Sequence, residues 1–254
     1  MLTGFDALTH LDHPSLRGRV ADVLSEAANV GVGGAMVAGW DPEGWDAIVA
    51  LGEASPLAYA LGVHPWKATT SDVVGLLDRY QPPVVGEIGL DHFVAKSDEA
   101  RAVQRALFRD QLAWARAHAR PVIIHAVRAV PEVLHILQRD GLGTAGGMIH
   151  GWHLGPDIAE QAVRLGLHLS IGPAILRRSA DKILSAVVTI PPSRLLLETD
   201  SPEQKMPDGR PIMPHDLVSI AEAVSRTCRR GVDRVLAETG KNARRLFAFD
   251  PQGR

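Results

Sequence analysis

The sequence predicts an α/β protein built as one (β/α)8 barrel domain over residues 1–254, and three observations carry that prediction. Eight apolar runs of strand length alternate with segments of helical period along the whole chain. The runs are apolar on both faces, as parallel strands covered by helices require. The competing doubly wound sheet lacks its mark, because no Gly-x-Gly-x-x-Gly turn follows the first strand.

In chain order, "FDALTH" (5–10) is the first strand. Leu16, Val20, Val23, Leu24 and Ala27 then lie on one helical stripe, with Asp12 or Ser15 as its expected cap. "GVGGAMVAG" (31–39), "LAYALGVHP" (57–65) and "VVGEIGLD" (84–91) are the next strands. Residues 98–118 are free of Gly and Pro and charged on one side, which predicts a long helix. "PVIIHAV" (121–127), "GGMIHGW" (146–152), "LHLSIGP" (167–173) and "RLLLETD" (194–200) complete the set. The Gly-rich "GLGTAGG" (141–147) reads as a helix stop and connector. Leu217, Ile220, Ala221, Val224 and Cys228 form a late helical stripe, which makes Cys228 a buried helix residue.

Composition narrows the function classes. With 27 Lys and Arg against 29 Asp and Glu the net charge is −2, so the basic excess of a general polyanion binder is missing. Local phosphate recognition through a bound cation stays open, because a metal adds charge that composition does not count. A single cysteine excludes an intramolecular disulfide and fits a reducing compartment. No leader pattern opens the chain, and no apolar run approaches the roughly 18 residues of a membrane span, so a cytoplasmic protein is expected.

Acids and histidines gather at the carboxyl ends of the strands: His10, His64, Glu87, Asp91, His125, His150 and Asp200. In a barrel all of these ends face one mouth, where active sites of this fold lie. Imidazole with carboxylate and no thiolate suits Zn, Mn or Mg, one or two ions per chain. Glu87, in the middle of the set, is placed to bridge two ions, and the carboxylate of Asp200 to accept a proton from water.

These residues stand in familiar blocks. "VVGEIGLD" with Glu87, "PVIIHAVRA" with His125, "GMIHGW" with His150 and "LLLETDSP" with Asp200 resemble the TatD family of metal-dependent deoxyribonucleases. "LGVHPW" (61–66) and "TGKNARRLF" (239–247) match the same pattern, so the resemblance runs from about residue 5 to 248. It implies an amidohydrolase-type barrel that hydrolyses phosphodiester bonds in DNA, often from the 3′ end, with DNA or another phosphodiester as partner. By position it implies Glu87 as bridging ligand, His125 and His150 completing one metal site, and Asp200 binding the other metal with His10. Glu87 and Asp200 are then the catalytic pair. His64 falls near the substrate or outer shell, with a loop histidine before Pro65 as the plainer reading.

The chain also departs from the pattern. The family's first strand reads Asp-x-His-x-His-Leu-Asp, where this chain has Asp6-Ala7-Leu8-Thr9-His10-Leu11-Asp12. Leucine cannot ligate a metal. Three readings follow: a mononuclear enzyme on Glu87, His125 and His150, which is preferred; a substitute ligand in His13; or a barrel that has lost catalysis and binds a partner. His-Ser-Arg-x-Ala becomes His125-Ala126-Val127-Arg128-Ala129, displacing the arginine by one position. His-Cys-Phe-Ser-Gly becomes His150-Gly151-Trp152-His153-Leu154-Gly155, one residue longer. Arg128 and His153 are candidate substrate contacts. Trp66 and Trp152 follow mouth histidines and are expected either to stack on a base or to pack in the core. An enzyme alternative is hydrolysis of an ester or amide on the same scaffold.

Overall fold

The computed structural model describes residues 3–54, 57–68 and 72–249. Eight strands run through it: β1 (Gly4–Thr9), β2 (Val32–Ala38), β3 (Leu57–Ala60), β4 (Val85–Asp91), β5 (Val122–Val127), β6 (Gly147–Ile149), β7 (Leu167–Ile171) and β8 (Leu195–Leu197). The helices are α1 (Val20–Asn29), α2 (Trp45–Ala54), α3 (Val73–Tyr80), α4 (Asp98–Ala117), α5 (Val130–Asp140), α6 (Pro156–Arg164), α7 (Asp181–Thr189), α8 (Leu217–Cys228) and α9 (Val232–Leu246).

All ladders are parallel, with β1-β2-β3 in one run and β4 through β8 in another. Two seams join the runs into a closed barrel. At the first, Leu61 pairs with Val85, and Gly86 N–H donates to Leu61 O at 3.1 Å. At the second, Thr9 pairs with Ser201, and His10 N–H donates to Ser201 O at 2.7 Å. Closure removes the exposed edges that an open sheet would carry.

Strand alternation sorts the core into two clusters. Ala35, Val37, Ile124, Ile149, Leu195 and Leu197 face outward and pack with the helices. Leu8, Met36, Ala38, Ala60, Ile123, Met148 and Leu196 pack with one another as the barrel filling. This interior is packed rather than hollow, so polar side chains gather only at its mouth.

The sequence and the fold differ in detail. α1 starts at Val20 with Arg19 as its N-cap and no side-chain cap, so neither Asp12 nor Ser15 caps it. Pro14 starts a 3-10 turn first, and Ser15 N–H donates to His13 Nδ1 inside that turn. Cys228 ends α8 only half-buried, with its thiol 3.8 Å from Val187 O. Among the described residues no helix is long and apolar enough to cross a membrane.

Candidate metal centre

Glu87 sits at the centre of the mouth, on β4, and is 2% exposed. Close backbone approach puts it there: Gly89 has φ +142°, and a Cβ on it would fall 2.0 Å from His125 O. Only glycine fits that position, and it lets β4 lie against β5. The two oxygens of Glu87 face different partners. Oε1 lies 3.2 Å from His10 Nε2, and Oε2 lies 2.8 Å from His150 Nε2 and 3.7 Å from His125 Nδ1. His10 Nε2 is also 3.3 Å from Asp200 Oδ1, and His125 Nδ1 is 3.0 Å from His150 Nε2.

Two donor groups therefore share Glu87: His125 with His150 on one side, His10 with Asp200 on the other. Asp200 follows β8 in a left-handed turn, φ +55°, which is costly for a residue other than glycine. Gln204 Nε2 holds its Oδ2 at 3.1 Å.

The outer nitrogen of each imidazole fixes which inner nitrogen is free. His10 Nδ1 donates to Ala38 O at 3.0 Å, because a carbonyl only accepts. His125 Nε2 lies 3.3 Å from Asp91 Oδ2, and His150 Nδ1 lies 3.5 Å from Glu198 Oε1. His10 and His125 thus have a hydrogen-bonded acceptor behind one nitrogen, while His150 has the Glu198 carboxylate 3.5 Å behind Nδ1 without a hydrogen bond, and all three turn the other nitrogen toward Glu87, the arrangement that orients metal-ligating histidines.

His64 is built the other way round. Its donor atom, with those of Glu87 and His125, lies in one group within 4.8 Å. Yet its Nδ1 accepts the Trp66 backbone N–H at 3.1 Å, which leaves the ring proton on Nε2. Burial, and then His125, push its pKa down to about 3, so the ring is neutral. A neutral ring protonated on Nε2 offers a hydrogen bond rather than a lone pair.

The electrostatics call for positive charge. Burial disfavours a charged His10, but Asp200 and Glu87 overcome this and hold its pKa well above the usual imidazole range. His150 is raised in the same way, against burial, by Glu87 and Glu198. Burial would raise Glu87, yet His150, His10 and His125 keep it well below the ordinary carboxylate range. Glu198 is 1% exposed, and its Oε2 has no hydrogen-bond partner. Buried acids at this density need protons or a cation. The mixed imidazole and carboxylate donor set suits a divalent ion of the Zn or Mn kind, so the residues fit such a group.

The other expected residues separate. Trp66 is 55% exposed beside the site, its indole N–H donating to Asp91 Oδ2 at 2.6 Å. Trp152 is corrected: it is buried, and its indole donates to Leu154 O at 2.9 Å, so no face is open to a base. The cause is backbone pinning, since Trp152 N–H donates to Ser170 O and turns the side chain into the core. Arg128 is exposed with its guanidinium 4.9 Å from the Phe93 ring centre. His153 is exposed, with its Nδ1 3.1 Å from Gly151 O. His13 lies beyond the strand, 3.7 Å from Glu203, and does not join the donor set. The position that lacks a ligand is filled by Leu8, fully buried in the barrel filling. Sequence reasoning passed over Glu198 and gave Asp91 no role. An acid inside an apolar strand end, as in "LLLETD", was the available signal.

The chain is 31% identical over 253 residues to the uncharacterized metal-dependent hydrolase YjjV of Escherichia coli (strain K12), covering 95% of this chain and 96% of that one. The crystal structure of YjjV, a TatD homolog from Escherichia coli K12, superposes with a TM-score of 0.90 at 29% identity, over 98% of this chain and 100% of that one. The 3′-5′ ssDNA/RNA exonuclease TatD of Edwardsiella piscicida is 30% identical over 257 residues, covering 95% of this chain and 98% of that one. The pattern of the TatD related DNase family matches residues 5–248, nearly the whole barrel with every strand end described above, and the chain belongs to that family.

Proposed function

We propose that this protein is a metal-dependent phosphodiesterase that removes nucleotides from the 3′ end of DNA. The observation that carries the reading is the orientation of three histidines. His10, His125 and His150 each have an acceptor behind one nitrogen and turn the other toward Glu87. Glu87, His125 and His150 would hold a divalent ion, and His10 with Asp200 a second, weaker one.

A bound divalent cation supplies Lewis acidity and lowers the pKa of water toward neutrality. The protein's own groups do the rest. Asp200 accepts the proton of the attacking water, with Gln204 holding its Oδ2 while Oδ1 faces His10 at the mouth. Asp91 and Glu198 orient His125 and His150. His64, a neutral ring whose Nδ1 accepts the Trp66 N–H, keeps its proton on Nε2 and donates a hydrogen bond from it to a phosphoryl oxygen. Leu8 leaves the His10 side one donor short, which favours a single tightly held ion at Glu87, His125 and His150.

The test is turnover of a 3′-labelled oligonucleotide, of a simple phosphodiester and of a carboxylic ester, with and without Zn, Mn or Mg. Metal-dependent cleavage of the first two, reduced at least about 100-fold by Asp200→Asn, is the expected result. Turnover of the carboxylic ester alone would move the assignment to carbonyl hydrolysis. No turnover with any ion would move it to a binding protein.

A further inference from the structure

Trp66 is more than half exposed, yet its one polar atom is turned inward. The indole N–H donates at 2.6 Å to Oδ2 of Asp91, a carboxylate that is buried. An exposed indole can donate to water, so nothing in its own solvation requires this bond. Four groups stand against the same carboxylate. Oδ1 accepts the backbone N–H of Phe93 at 2.8 Å and of Val94 at 3.1 Å. Oδ2 accepts the indole and faces His125 Nε2 at 3.3 Å. The imidazole contact is the longest of the four, so the indole, and not the imidazole, fixes where Oδ2 stands.

Two buried glutamines, two turns apart on one stripe of α4, hold the turn that carries Trp66. Gln111 Oε1 accepts Val63 N–H at 2.8 Å, and its Nε2 donates to Val63 O at 3.0 Å. Gln104 Nε2 donates to Pro65 O at 3.0 Å, while its Oε1 accepts Asp91 N–H at 2.9 Å. Gln104 and Trp66 therefore both span from the turn after β3 to Asp91, one to its backbone and the other to its carboxylate. The backbone N–H of Trp66 also donates to His64 Nδ1 at 3.1 Å, which leaves the indole as a separate, second tie. An exposed ring that served only to cover the surface would need neither.

We infer that Trp66 is a positioning residue of the metal centre: its indole N–H holds the Asp91 carboxylate against His125 and so keeps that imidazole turned to receive an ion. The inference rests on the metal-dependent reading above and adds a residue to it. The role needs no contact between Trp66 and the ion or the substrate. Groups that orient a ligating imidazole set metal affinity as well as geometry, so the indole acts on binding of the ion before any chemistry begins.

The experiment is calorimetric titration of the full, metal-free chain with Zn. Trp66→Phe keeps an aromatic ring and the backbone N–H to His64 and removes the indole donor. Lys67→Ala disturbs the same turn by breaking the ion pair with Asp41, 2.6 Å away, and serves as the control. Trp66→Phe is expected to bind Zn about tenfold more weakly, and Lys67→Ala to bind it as the wild type does. In a chain that carries Asp91→Asn, adding Trp66→Phe should cost nothing further, because the indole acts through that carboxylate. Unchanged affinity in Trp66→Phe, an equal loss in Lys67→Ala, or a further tenfold loss on top of Asp91→Asn overturns the positioning role. If the wild type binds Zn and cuts oligonucleotides while Trp66→Phe binds Zn normally, the positioning role alone falls. If Trp66→Phe weakens Zn and no phosphodiester is cut by the wild type, the phosphodiesterase reading falls and the positioning role stands. A wild type that binds neither Zn nor Mn overturns both.

Discussion

The backbone N–H of Asp200 donates to the carbonyl of Leu8 at 3.0 Å. The residue proposed to handle the proton and the residue that replaces a metal ligand are hydrogen-bonded partners across the seam that closes the barrel. What Leu8 loses as a ligand it keeps as a scaffold, since its backbone still positions the turn that presents Asp200. This explains how a substitution at a ligand position leaves Glu87, His10 and Asp200 in contact.

Leu8→His tests how far the site is from a complete pair. Leu8 is fully buried on β1, two positions before His10 and so on the same face of the chain, which turns an imidazole there toward the same mouth. Without metal, the variant should lose about 1–3 kcal/mol, because a buried ring nitrogen lacks a partner. With Zn or Mn it should bind about one further ion per chain and recover that stability. Elemental analysis and thermal unfolding with and without metal check both parts. Unchanged metal content would show that the His10 side needs more than its missing ligand.

Glu198→Gln separates an orienting carboxylate from a structural one. Gln keeps an oxygen for Gly151 N–H, which Glu198 Oε1 accepts at 2.6 Å, but removes the negative charge facing His150. Metal affinity should fall about 10- to 100-fold with little change in unfolding temperature of the metal-free chain. Calorimetric titration with Zn or Mn reads the first effect and thermal unfolding the second.

The eight strands were legible because an apolar run covered on both faces is a strong local signal. Their ends were less so. "GGMIHGW" contains a strand of only Gly147–Ile149, because Gly151, at φ +61°, takes the chain out of the ladder toward the mouth. "RLLLETD" likewise contains only Leu195–Leu197, since the chain turns at Asp200. The convergence of His10, Glu87, His125, His150 and Asp200 followed from barrel geometry, in which strand ends meet whatever their distance in sequence. The groups behind them did not follow. Asp6 reaches Thr199 across 193 positions, and no local pattern encodes such a contact. Trp66 and Trp152 look alike in sequence, each two residues past a mouth histidine, and only the pinning of Trp152 to β7 tells them apart.

That difference has a measurable consequence. Trp152→Ala empties a fully packed site and should cost about 3–5 kcal/mol of stability. Trp66→Ala removes a half-exposed side chain and one hydrogen bond to Asp91, for about 1 kcal/mol or less. Urea unfolding of both variants checks the contrast. Similar losses would mean that Trp66 supports the loop after β4 far more than its exposure suggests.

Asp6 gives the fold a pH dependence of its own. The carboxyl is fully buried in the barrel, where Oδ1 accepts Thr199 N–H at 2.9 Å and Oδ2 bonds to Thr199 Oγ1 at 2.5 Å. Burial outweighs these bonds and pushes its pKa from 3.8 up to about 8, so the folded protein holds Asp6 neutral at neutral pH. A raised folded pKa means that the native state keeps a proton the unfolded chain releases. The stabilisation from that proton is complete below pH 3.8 and drains away as pH climbs to about 8, by at most about 1.4 kcal/mol per pH unit. Asn has the shape of the neutral acid and can donate to Thr199 Oγ1 without a proton to lose. Asp6→Asn should therefore unfold at a temperature that exceeds the wild type by a margin growing from pH 5 to pH 8 and constant above, in the window set by the shift from 3.8 to about 8. Thermal unfolding of both proteins in metal-free buffer across that range measures the margin. A margin that does not change with pH would mean that Asp6 is ionised in the folded barrel, with its charge met by the Thr199 hydrogen bonds alone.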